Sequence, residues 1–375
     1  MRYITSHILD DLKRKMVFVG GPRQVGKTTL AKAILSSNYP DGRYLNWDFD
    51  EDRQDILQKR WSTDNPLLIF DELHKFPKWK GWIKGIYDVS HNLHSFLITG
   101  SARLDVYRRG GDSLLGRYHY WRLHPFTLDE FPKGISPKDA FERLMTLGGF
   151  PEPFLEGDER IARRWRRERF DRVLREDVRD LEPVRDIQLL SLFLDLLRHR
   201  VGGLVVLSNL AGNLEISPKT AKAWLETLER MYLVFSVRPY TKSLPRAVRK
   251  PPKVYFFDNG DVLGDEGTRF ENLVATSLLK RLHYLEDSQG YKYELRYIRD
   301  KEGREVDFAI VKEGELEELI EVKYSDDSIT RSLSYYADRL NPKKAVQIVS
   351  EIKRPYDKGK IRVTDPISYF SNFFK

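Results

Sequence analysis

Hydrophobic and polar positions along the first third of this chain separate strands from helices. Three short apolar runs have the continuous hydrophobicity of buried parallel strands: Lys15–Val19, Pro66–Phe70 and Ser95–Ile98. Helical spacing follows the first run, over Thr29–Leu35. A strand that leads into a helix in this way predicts an α/β fold built on a parallel sheet.

Helical spacing continues in the middle of the chain, from residue 161 to residue 200 and again after it. Ser208 is placed to cap a short helix, residues 213–216 form a turn, and Ser217-Pro218 opens a second helix. Five residues of the second helix share one apolar face: Ala221, Trp224, Leu225, Leu228 and Met231. Three basic residues off that face can meet a DNA major groove: Lys219, Lys222 and Arg230.

Two paired strands are predicted next, at Leu233–Val237 and Lys253–Phe257. The loop between them carries four basic side chains: Lys242, Arg246, Arg249 and Lys250. Two helices followed by a strand pair with a basic loop predict a winged helix. Its use stays open between DNA binding and a role as a lid or subunit contact.

The C-terminal third changes to strand periodicity behind one helix. That helix covers Thr268–Leu282 and contains Glu271. Three strands follow it: Glu294–Ile298, Glu305–Val311 and Leu316–Tyr324. Strand alternation places Glu321 and Lys323 on one face while Val322 enters the core. Asp307, on the neighbouring strand, can reach the same place.

These C-terminal side chains predict a metal site. Asp307 and Glu321 are the expected ligands of Mg²⁺, with Mn²⁺ as an alternative, and Glu271 is an outer ligand. Lys323 would stand beside the attacking water or the developing charge. The alternative is that all four are charged strand-end residues of a solvated binding domain.

Composition narrows the class of protein. A chain of 375 residues with 41% hydrophobic residues predicts two or three folded domains. The absence of cysteine excludes disulfides, thiolate catalysis and Cys-ligated metal sites. No apolar run reaches the roughly 20 residues of a membrane span, and residues 1–6 lack a signal-peptide pattern, so we expect a cytoplasmic protein. The net charge of +8 favours an anionic partner.

A phosphate-binding sequence follows the first predicted strand. Residues 21–28 match G-x-x-x-x-G-K-[ST] at every fixed position. Glycines let backbone N–H groups turn toward phosphate oxygens, and the following helix adds its positive N-terminus. Lys27 is expected to reach the β- and γ-phosphates of ATP, and the Thr28 hydroxyl to bind Mg²⁺. The predicted ATP contacts are Gly21, Pro22, Arg23, Gln24, Val25, Gly26, Lys27, Thr28 and Thr29.

Two acids end the second apolar run. Asp71 is expected to hold Mg²⁺ through a water, and Glu72 to orient and deprotonate the water that attacks the γ-phosphate. Thr99 ends the third run, where a polar side chain can sense the γ-phosphate or cap the strand end. The sequence therefore predicts an enzyme that hydrolyses ATP.

The phosphate loop, the Asp-Glu strand and the strand ending at Thr99 together resemble the core of an AAA+ ATPase. Three segments are more specific: Ser113–Arg117, Leu123–Phe131 and Gly148–Glu152. With them, nearly the whole chain resembles a widespread archaeal and bacterial group of uncharacterised AAA-type ATPases, in which a winged helix and a nuclease-like domain follow the ATPase. The resemblance implies that Pro151 packs near the adenine, as in the related STAND signalling ATPases.

Arginines outside the loop are candidates for contacts with phosphates. Arg117 is the first candidate for an arginine finger supplied to a neighbouring subunit, and Arg103 is an alternative sensor. A surface ion pair is the alternative for both. Arg163–Arg175 carries seven arginines against two acids, which fits either a helix that follows nucleic-acid phosphates or a solvated helix with intrachain ion pairs.

The C-terminal charged residues resemble the PD-(D/E)XK nuclease core. The positions that match its motif are Glu271, Asp307, Glu321 and Lys323. The resemblance implies metal-dependent cleavage of nucleic acid. One departure leaves the role of Glu271 open, because the connection between Phe257–Gly260 and its helix is shorter than in the group.

The sequence thus predicts an AAA+-like ATPase domain at 1–135, a helical lid with a winged helix at 136–253, and a nuclease-like domain at 254–375. The predicted function is ATP hydrolysis coupled to DNA binding or processing, in a homo-oligomer and away from the membrane. Two alternatives remain. One is a STAND-type switch whose C-terminal domain binds a partner without catalysis, and the other is a regulator that reads DNA through the winged helix.

Overall fold

The computed structural model describes residues 2–100, 114–174, 186–241, 250–371 and 373–374. Contacts divide the chain into two compact units, Met1–His124 and Pro125–Lys375. Predicted residues outside the described ranges are Arg103, Lys242, Arg246 and Arg249, with Ser113 and Arg175 at the ends of two predicted segments. Among the described residues, no helix is long and apolar enough to cross a membrane. The division into three domains stays a prediction.

The first unit is an α/β fold around a five-stranded parallel sheet. Its elements are α1 (Thr5–Leu12), β1 (Met16–Gly20), α2 (Lys27–Asn38), β2 (Arg43–Asn46), α3 (Asp50–Gln58), β3 (Leu67–Asp71), α4 (Trp79–Ser90), β4 (Ser95–Thr99) and β5 (Tyr118–Arg122). The strand order is β2-β3-β4-β1-β5, and every pairing is parallel. Every residue of β1 and β3 is buried, as their apolar runs predict. The predicted fold class is confirmed.

The strand order of the first unit decides which loops meet. Val19 of β1 and Asp71 of β3 both lie opposite Thr99 of β4. Because the carboxyl ends of parallel strands lie at one edge of a sheet, the loop after β1 opens at the same edge as Asp71 and Thr99. The predicted ATP-site residues of this unit are therefore brought to one edge by topology.

The second unit combines helices with an eight-stranded mixed sheet. Its helices are α5 (Pro137–Thr146), α6 (Pro151–Glu156), α7 (Glu159–Arg172), α8 (Ile187–Arg198), α9 (Leu207–Asn213), α10 (Pro218–Arg230), α11 (Glu266–Gln289), α12 (Arg331–Leu340) and α13 (Pro366–Phe370). Its strands are β6 (Val234–Pro239), β7 (Lys253–Phe256), β8 (Tyr293–Arg299), β9 (Glu305–Lys312), β10 (Glu315–Lys323), β11 (Lys344–Val349), β12 (Tyr356–Lys358) and β13 (Ile361–Thr364). The order is β12-β13-β11-β10-β9-β8-β6-β7.

The predicted strand pair β6–β7 is present and antiparallel, and it also extends the C-terminal sheet. Arg238 and Pro239 of β6 pair in parallel with β8. The predicted boundary between residues 253 and 254 therefore falls at the first residue of β7. Local strand patterns predict this pairing but not the register that joins it to β8.

Helices α9 and α10 follow each other and are joined by residues 214–217. Ser217 caps α10 by accepting a hydrogen bond from the Thr220 N–H, as its sequence predicts. The predicted cap at Ser208 is wrong, because α9 begins at Leu207 with Val206 at its N-cap. The Val206 carbonyl accepts the first helical hydrogen bond, from Asn209 at 3.0 Å, so the helix starts before Ser208.

Candidate ATP site and C-terminal charged cluster

Two glycines shape the loop between β1 and α2. Gly21 has φ 140° and Gly26 has φ 96°, and both values lie in the region that favours glycine. A Cβ on Gly21 would also lie 2.3 Å from the Leu123 carbonyl oxygen. Backbone conformation therefore favours glycine at both fixed positions of the motif, and close packing also requires it at Gly21.

The phosphate loop holds the Lys27 side chain in place through hydrogen bonds. The side chain is buried, and its Nζ donates to the carbonyl oxygens of Pro22 at 2.7 Å and Gly21 at 3.1 Å. Thr28 and Thr29 are exposed at the start of α2, Arg23 and Gln24 are half-buried, and Val25 is buried. These positions leave the ammonium inside the turn of the loop.

Arg2 supports the phosphate loop, a role that its sequence position did not indicate. Its guanidinium donates to the Val25 carbonyl at 3.0 Å and to the His124 carbonyl at 2.5 Å. These contacts join the loop to the segment after β5. An arginine next to the first residue carries no motif that predicts such a contact, because its partners lie 23 and 122 residues away in sequence.

The buried Asp71 carboxylate is the centre of a hydrogen-bond network. Its Oδ2 accepts from Thr28 Oγ1 at 2.6 Å and from the Tyr44 hydroxyl at 2.7 Å. Its Oδ1 accepts from Thr99 Oγ1. The structure thus brings together the predicted Thr28, Asp71 and Thr99.

Tyr44 is a member of this network that the sequence analysis missed. It lies on the four-residue strand β2, in which only Leu45 is buried, so the strand has too little periodicity to be recognised. Burial and the Asp71 carboxylate raise the pKa of Tyr44 far above its usual value. The hydroxyl therefore remains a donor to Asp71 and restrains its orientation.

Glu72 has the electrostatic character of a proton acceptor. Burial raises the pKa of its carboxyl, although the Lys27 and Lys75 ammonium groups oppose that shift. A carboxylate with a raised pKa accepts a proton from water more readily. Glu72 also has φ 56°, a left-handed conformation that costs a non-glycine residue about 1 kcal/mol.

Mg²⁺ fits the oxygen atoms of this site. The Thr28 hydroxyl and the Asp71 carboxylate stand next to each other, and Mg²⁺ prefers oxygen ligands of these kinds. The glycine loop beside them supplies the close backbone approach that phosphates require. The residues present therefore fit ATP with Mg²⁺.

Arg117 lies away from these contacts. Arg117 directly precedes β5, and its carbonyl accepts the N–H of Met16, the first residue of β1, at 3.1 Å. It is thus at the sheet edge opposite the phosphate loop, and its guanidinium donates to both carboxylate oxygens of Asp88 at 2.7 and 3.2 Å. Pro151 is the first residue of α6, and its contact with adenine stays a prediction.

The second unit contains a charged cluster around Lys253, the first residue of β7. The Lys253 side chain is only 2% exposed. Its Nζ lies 2.7 Å from Glu305 Oε1, 3.3 Å from Asp307 Oδ1 and 3.4 Å from Glu271 Oε1. Burial lowers the pKa of Lys253, but the three carboxylates outweigh burial and raise it overall. We call these four residues the Lys253 cluster.

Glu321 and Lys323 lie beside the Lys253 cluster. Lys323 Nζ is 3.0 Å from Glu321 Oε1, and the Val322 N–H donates to Asp307 Oδ2 at 3.0 Å. The structure therefore brings Asp307, Glu321 and Lys323 together. Glu321 is more buried than strand alternation suggests, and burial together with Asp307 raises its pKa to about 8.

Glu271 joins the same cluster from α11. Its Oε1 accepts from the Tyr255 hydroxyl at 2.6 Å. Burial and Asp307 raise the pKa of Glu271 to about 7. The sequence patterns did not identify Lys253 and Tyr255 as site residues. A lysine that opens an otherwise apolar strand is nevertheless a signal for a buried acidic partner.

The predicted C-terminal metal ligands do not fit a divalent ion as they are arranged. The Lys253 ammonium already stands between Glu271 and Asp307 and balances their charge. Within the described ranges, no group of three or more His, Asp or Glu side chains is arranged to hold a metal ion. The metal and catalytic roles of Glu271, Asp307, Glu321 and Lys323 stay predictions.

Comparisons with known families divide the chain into three consecutive segments. Residues 13–132 match a family described as an AAA domain. Residues 138–262 and 266–369 match two domains of unknown function, DUF8612 and DUF4143. Together with the fold and the site geometry, the AAA match makes the first unit similar to an AAA-type P-loop domain and supports ATPase-type activity.

The proteins with similar sequences are described as uncharacterized, so their names indicate no function. An uncharacterized protein from Methanocaldococcus jannaschii is 25% identical over 94% of this chain and 85% of its own length. One from Mycobacterium tuberculosis is 26% identical over 65% of this chain, and the match spans only about half (54%) of that relative. A RuvB variant from Thermotoga maritima is 18% identical and covers 62% of this chain and 86% of its own, with a TM-score of 0.32 that is too low to carry an inference.

Proposed function

We propose that this protein binds ATP with Mg²⁺ at the loop of residues 21–28 and hydrolyses it. The observation that carries the proposal is the network in which Asp71 accepts hydrogen bonds from Thr28, Tyr44 and Thr99 next to the loop. Such a network holds a carboxylate and a hydroxyl ready at one place. The fold alone would not require these side chains to meet.

Each residue of this site has a chemical role in the proposal. Backbone N–H groups of the loop and the Lys27 ammonium bind the β- and γ-phosphates. Thr28 and Asp71 hold Mg²⁺, which neutralises negative charge on the phosphates. Glu72 accepts a proton from the attacking water, and Thr99 and Tyr44 orient Asp71.

We expect Lys27→Ala to abolish measurable ATP binding, because the phosphates lose their fixed positive partner. The buried carbonyls of Gly21 and Pro22 lose a donor at the same time. Calorimetric titration of ATP with Mg²⁺ measures the effect. Lys13→Ala, at an exposed position of the same unit, is the control and should bind ATP like the wild type. Wild-type affinity in Lys27→Ala would contradict the proposed site.

We further propose that Arg117 acts on ATP bound by a neighbouring copy in a homo-oligomer. Its place at the sheet edge opposite its own loop supports action on a neighbour. Arg117→Ala should keep ATP affinity and lose turnover at least about tenfold, because transition-state charge is no longer neutralised. Mixing Arg117→Ala with Glu72→Gln protein should restore part of the phosphate release.

A matched variant separates this role from a structural one. Asp88 holds the Arg117 guanidinium with two hydrogen bonds, so Asp88→Ala removes the ion pair and keeps the arginine. The pair is partly exposed and contributes little to folding. Equal loss of turnover in Asp88→Ala and Arg117→Ala would assign Arg117 to structure and contradict the trans role.

We also propose that α9, α10 and the β6–β7 pair form a winged helix that binds DNA. Lys219 and Lys222 are exposed on α10, while Ala221, Trp224 and Leu225 are buried. A helix with a buried apolar side and exposed lysines can enter a major groove. The net charge of +8 adds a general attraction for DNA.

Salt dependence tests the DNA proposal. Removing both charges in Lys219→Ala/Lys222→Ala should lower the slope of log affinity against log salt by about two, since each phosphate contact contributes about 0.9. Fluorescence anisotropy with a labelled duplex measures the slope. Lys353→Ala removes an exposed lysine outside this helix and should leave the slope unchanged. A wild-type slope in the double variant would exclude α10 as the contact.

We propose that the C-terminal domain binds a partner and does not cleave nucleic acid with the help of a metal ion. The buried Lys253 ammonium supports this choice, because it supplies the charge that a divalent ion would bring to the carboxylates. The nuclease interpretation stays open to experiment. The response of Lys253→Ala to divalent metal distinguishes the two.

A further inference from the structure

The second unit contains a cavity of about 440 Å³ that none of the functions above uses. Its walls come from the end of α5, α7, α8, the start of α11 and the turn at Asn259–Leu263. A volume of this size lies in the usual range of small-molecule sites, roughly 300–1,000 Å³. Positive charge dominates the lining: Arg163, Arg166, Arg167, Arg198 and Arg269.

The acids in the cavity leave part of this charge unbalanced. Glu159 is paired with Arg163 at 3.2 Å, and Asp261 is paired with Arg198 at 3.2 Å. Arg167 and Arg269 have no carboxylate partner among the described residues. They come from different helices, α7 and α11, and line the same space. An anion in the cavity would therefore meet two guanidinium groups that lack a protein counter-charge.

Two further arginines are already held in place. Arg166 donates to the Leu147 carbonyl at 3.0 Å and lies so close to Gly260 that a Cβ there would come within 2.0 Å of its Nη1. Arg198 is fixed by Asp195 and Asp261 and lies over the Phe170 ring at 5.2 Å. Groups held in this way lose little conformational entropy when a ligand binds.

The remaining lining residues define the other end of the ligand. Phe170 supplies an aromatic ring whose other face, away from the Arg198 guanidinium, is left for a ligand, and Val262 and Leu263 add apolar surface. The guanidinium fork matches phosphate oxygens in pairs. Phosphate at one end and a flat, partly apolar body at the other is the chemistry of a nucleotide.

We propose that this cavity is a second nucleotide site, which binds one nucleoside phosphate through Arg167 and Arg269 and stacks its base against Phe170. The site is independent of the ATP loop, which belongs to the other unit. The same phosphate group can belong to a free nucleotide or to the 5′ end of a nucleic-acid strand. A cavity that fits a single nucleotide favours the free form.

The test uses full-length Lys27→Ala protein, so that the ATP loop does not contribute. Calorimetric titration with AMP should show binding, and adenosine, which lacks the phosphate, should bind at least about tenfold more weakly. Adding Arg167→Ala and Arg269→Ala should weaken AMP binding by at least about tenfold. Arg164→Ala is the matched control, because Arg164 is exposed on the same helix and does not line the cavity.

Other arms identify the source of the phosphate and protect against misfolding. A 5′-phosphorylated oligonucleotide that binds only with its phosphate, and only with both arginines, would keep the site and assign it to a strand end. Arg167→Ala alone, at an exposed position, replaces the double variant if that variant unfolds. AMP binding that is absent, or equal in the Arg164 and Arg167 variants, overturns the proposal.

Discussion

Glu72→Gln should bind ATP with nearly wild-type affinity and hydrolyse it at least about a hundredfold more slowly. The amide keeps the size of the side chain but cannot accept the proton of the attacking water. Glu72 follows β3 directly, and its backbone N–H donates to the Thr99 carbonyl at 3.0 Å, which fixes its position beside Asp71. Phosphate release at saturating ATP measures turnover, and calorimetry measures affinity.

A control variant separates loss of the base from general damage. Glu51→Gln changes an exposed glutamate of α3 in the same unit and should leave turnover unchanged. Loss of ATP affinity in Glu72→Gln would assign the residue to binding. Turnover at the wild-type rate would contradict its role as the base, while Lys27→Ala would still test the ATP site itself.

Lys253→Ala should lower the stability of the C-terminal sheet by about 3–5 kcal/mol, the usual result of removing one partner from a buried charge group. Glu271, Glu305 and Asp307 would lose the ammonium that lies within 3.4 Å of each of them. Hydrogen exchange of the β9 and β10 amides measures the change, because it reports the opening of this sheet rather than of the whole chain.

Two further variants show whether the effect of Lys253→Ala comes from the loss of charge balance. Lys250→Ala removes an exposed lysine three residues away and should change stability by less than about 0.5 kcal/mol. Glu305→Gln should restore part of the stability in the Lys253→Ala background, since one unbalanced carboxylate disappears. A sheet that keeps wild-type protection in Lys253→Ala would mean that the carboxylates do not depend on this ammonium.

Divalent metal distinguishes the two interpretations of the C-terminal domain. Without ATP, millimolar Mg²⁺ or Mn²⁺ should protect the sheet more in Lys253→Ala than in the wild type, because the ion replaces the lost charge. Equal protection in both proteins, together with DNA cleavage that Asp307→Ala abolishes, would contradict binding without cleavage. That outcome would establish the metal site predicted from Asp307 and Glu321.

Much of the ATP site was predictable because its signals are local. The glycine positions of residues 21–26 depend on backbone conformation, and the apolar runs before Asp71 and Thr99 identify buried strands. Parallel pairing then brings the strand ends together. The short strand β2 gave no such signal, so Tyr44 was recognised as a partner of Asp71 only in the structure.

In the Lys253 cluster, by contrast, the central contact could not be predicted from the sequence. Strand alternation correctly placed Glu321 and Lys323 on one face. It could not show that Lys253 stands between Glu271 and Asp307, because the lysine and Asp307 are 54 residues apart and meet through the order of strands in the sheet. The resemblance to a nuclease core therefore identified the acids without their counter-ion.

The sequence by itself determined the α/β class of the first unit, the phosphate loop and most of the strands, because turns, caps and periodic burial act over a few neighbouring residues. Tertiary structure alone decided the hydroxyl donors around Asp71, the Asp88 partner of Arg117 and the ammonium in the C-terminal cluster. Those contacts depend on strand order and register, which bring distant residues within hydrogen-bond distance and which no local pattern specifies.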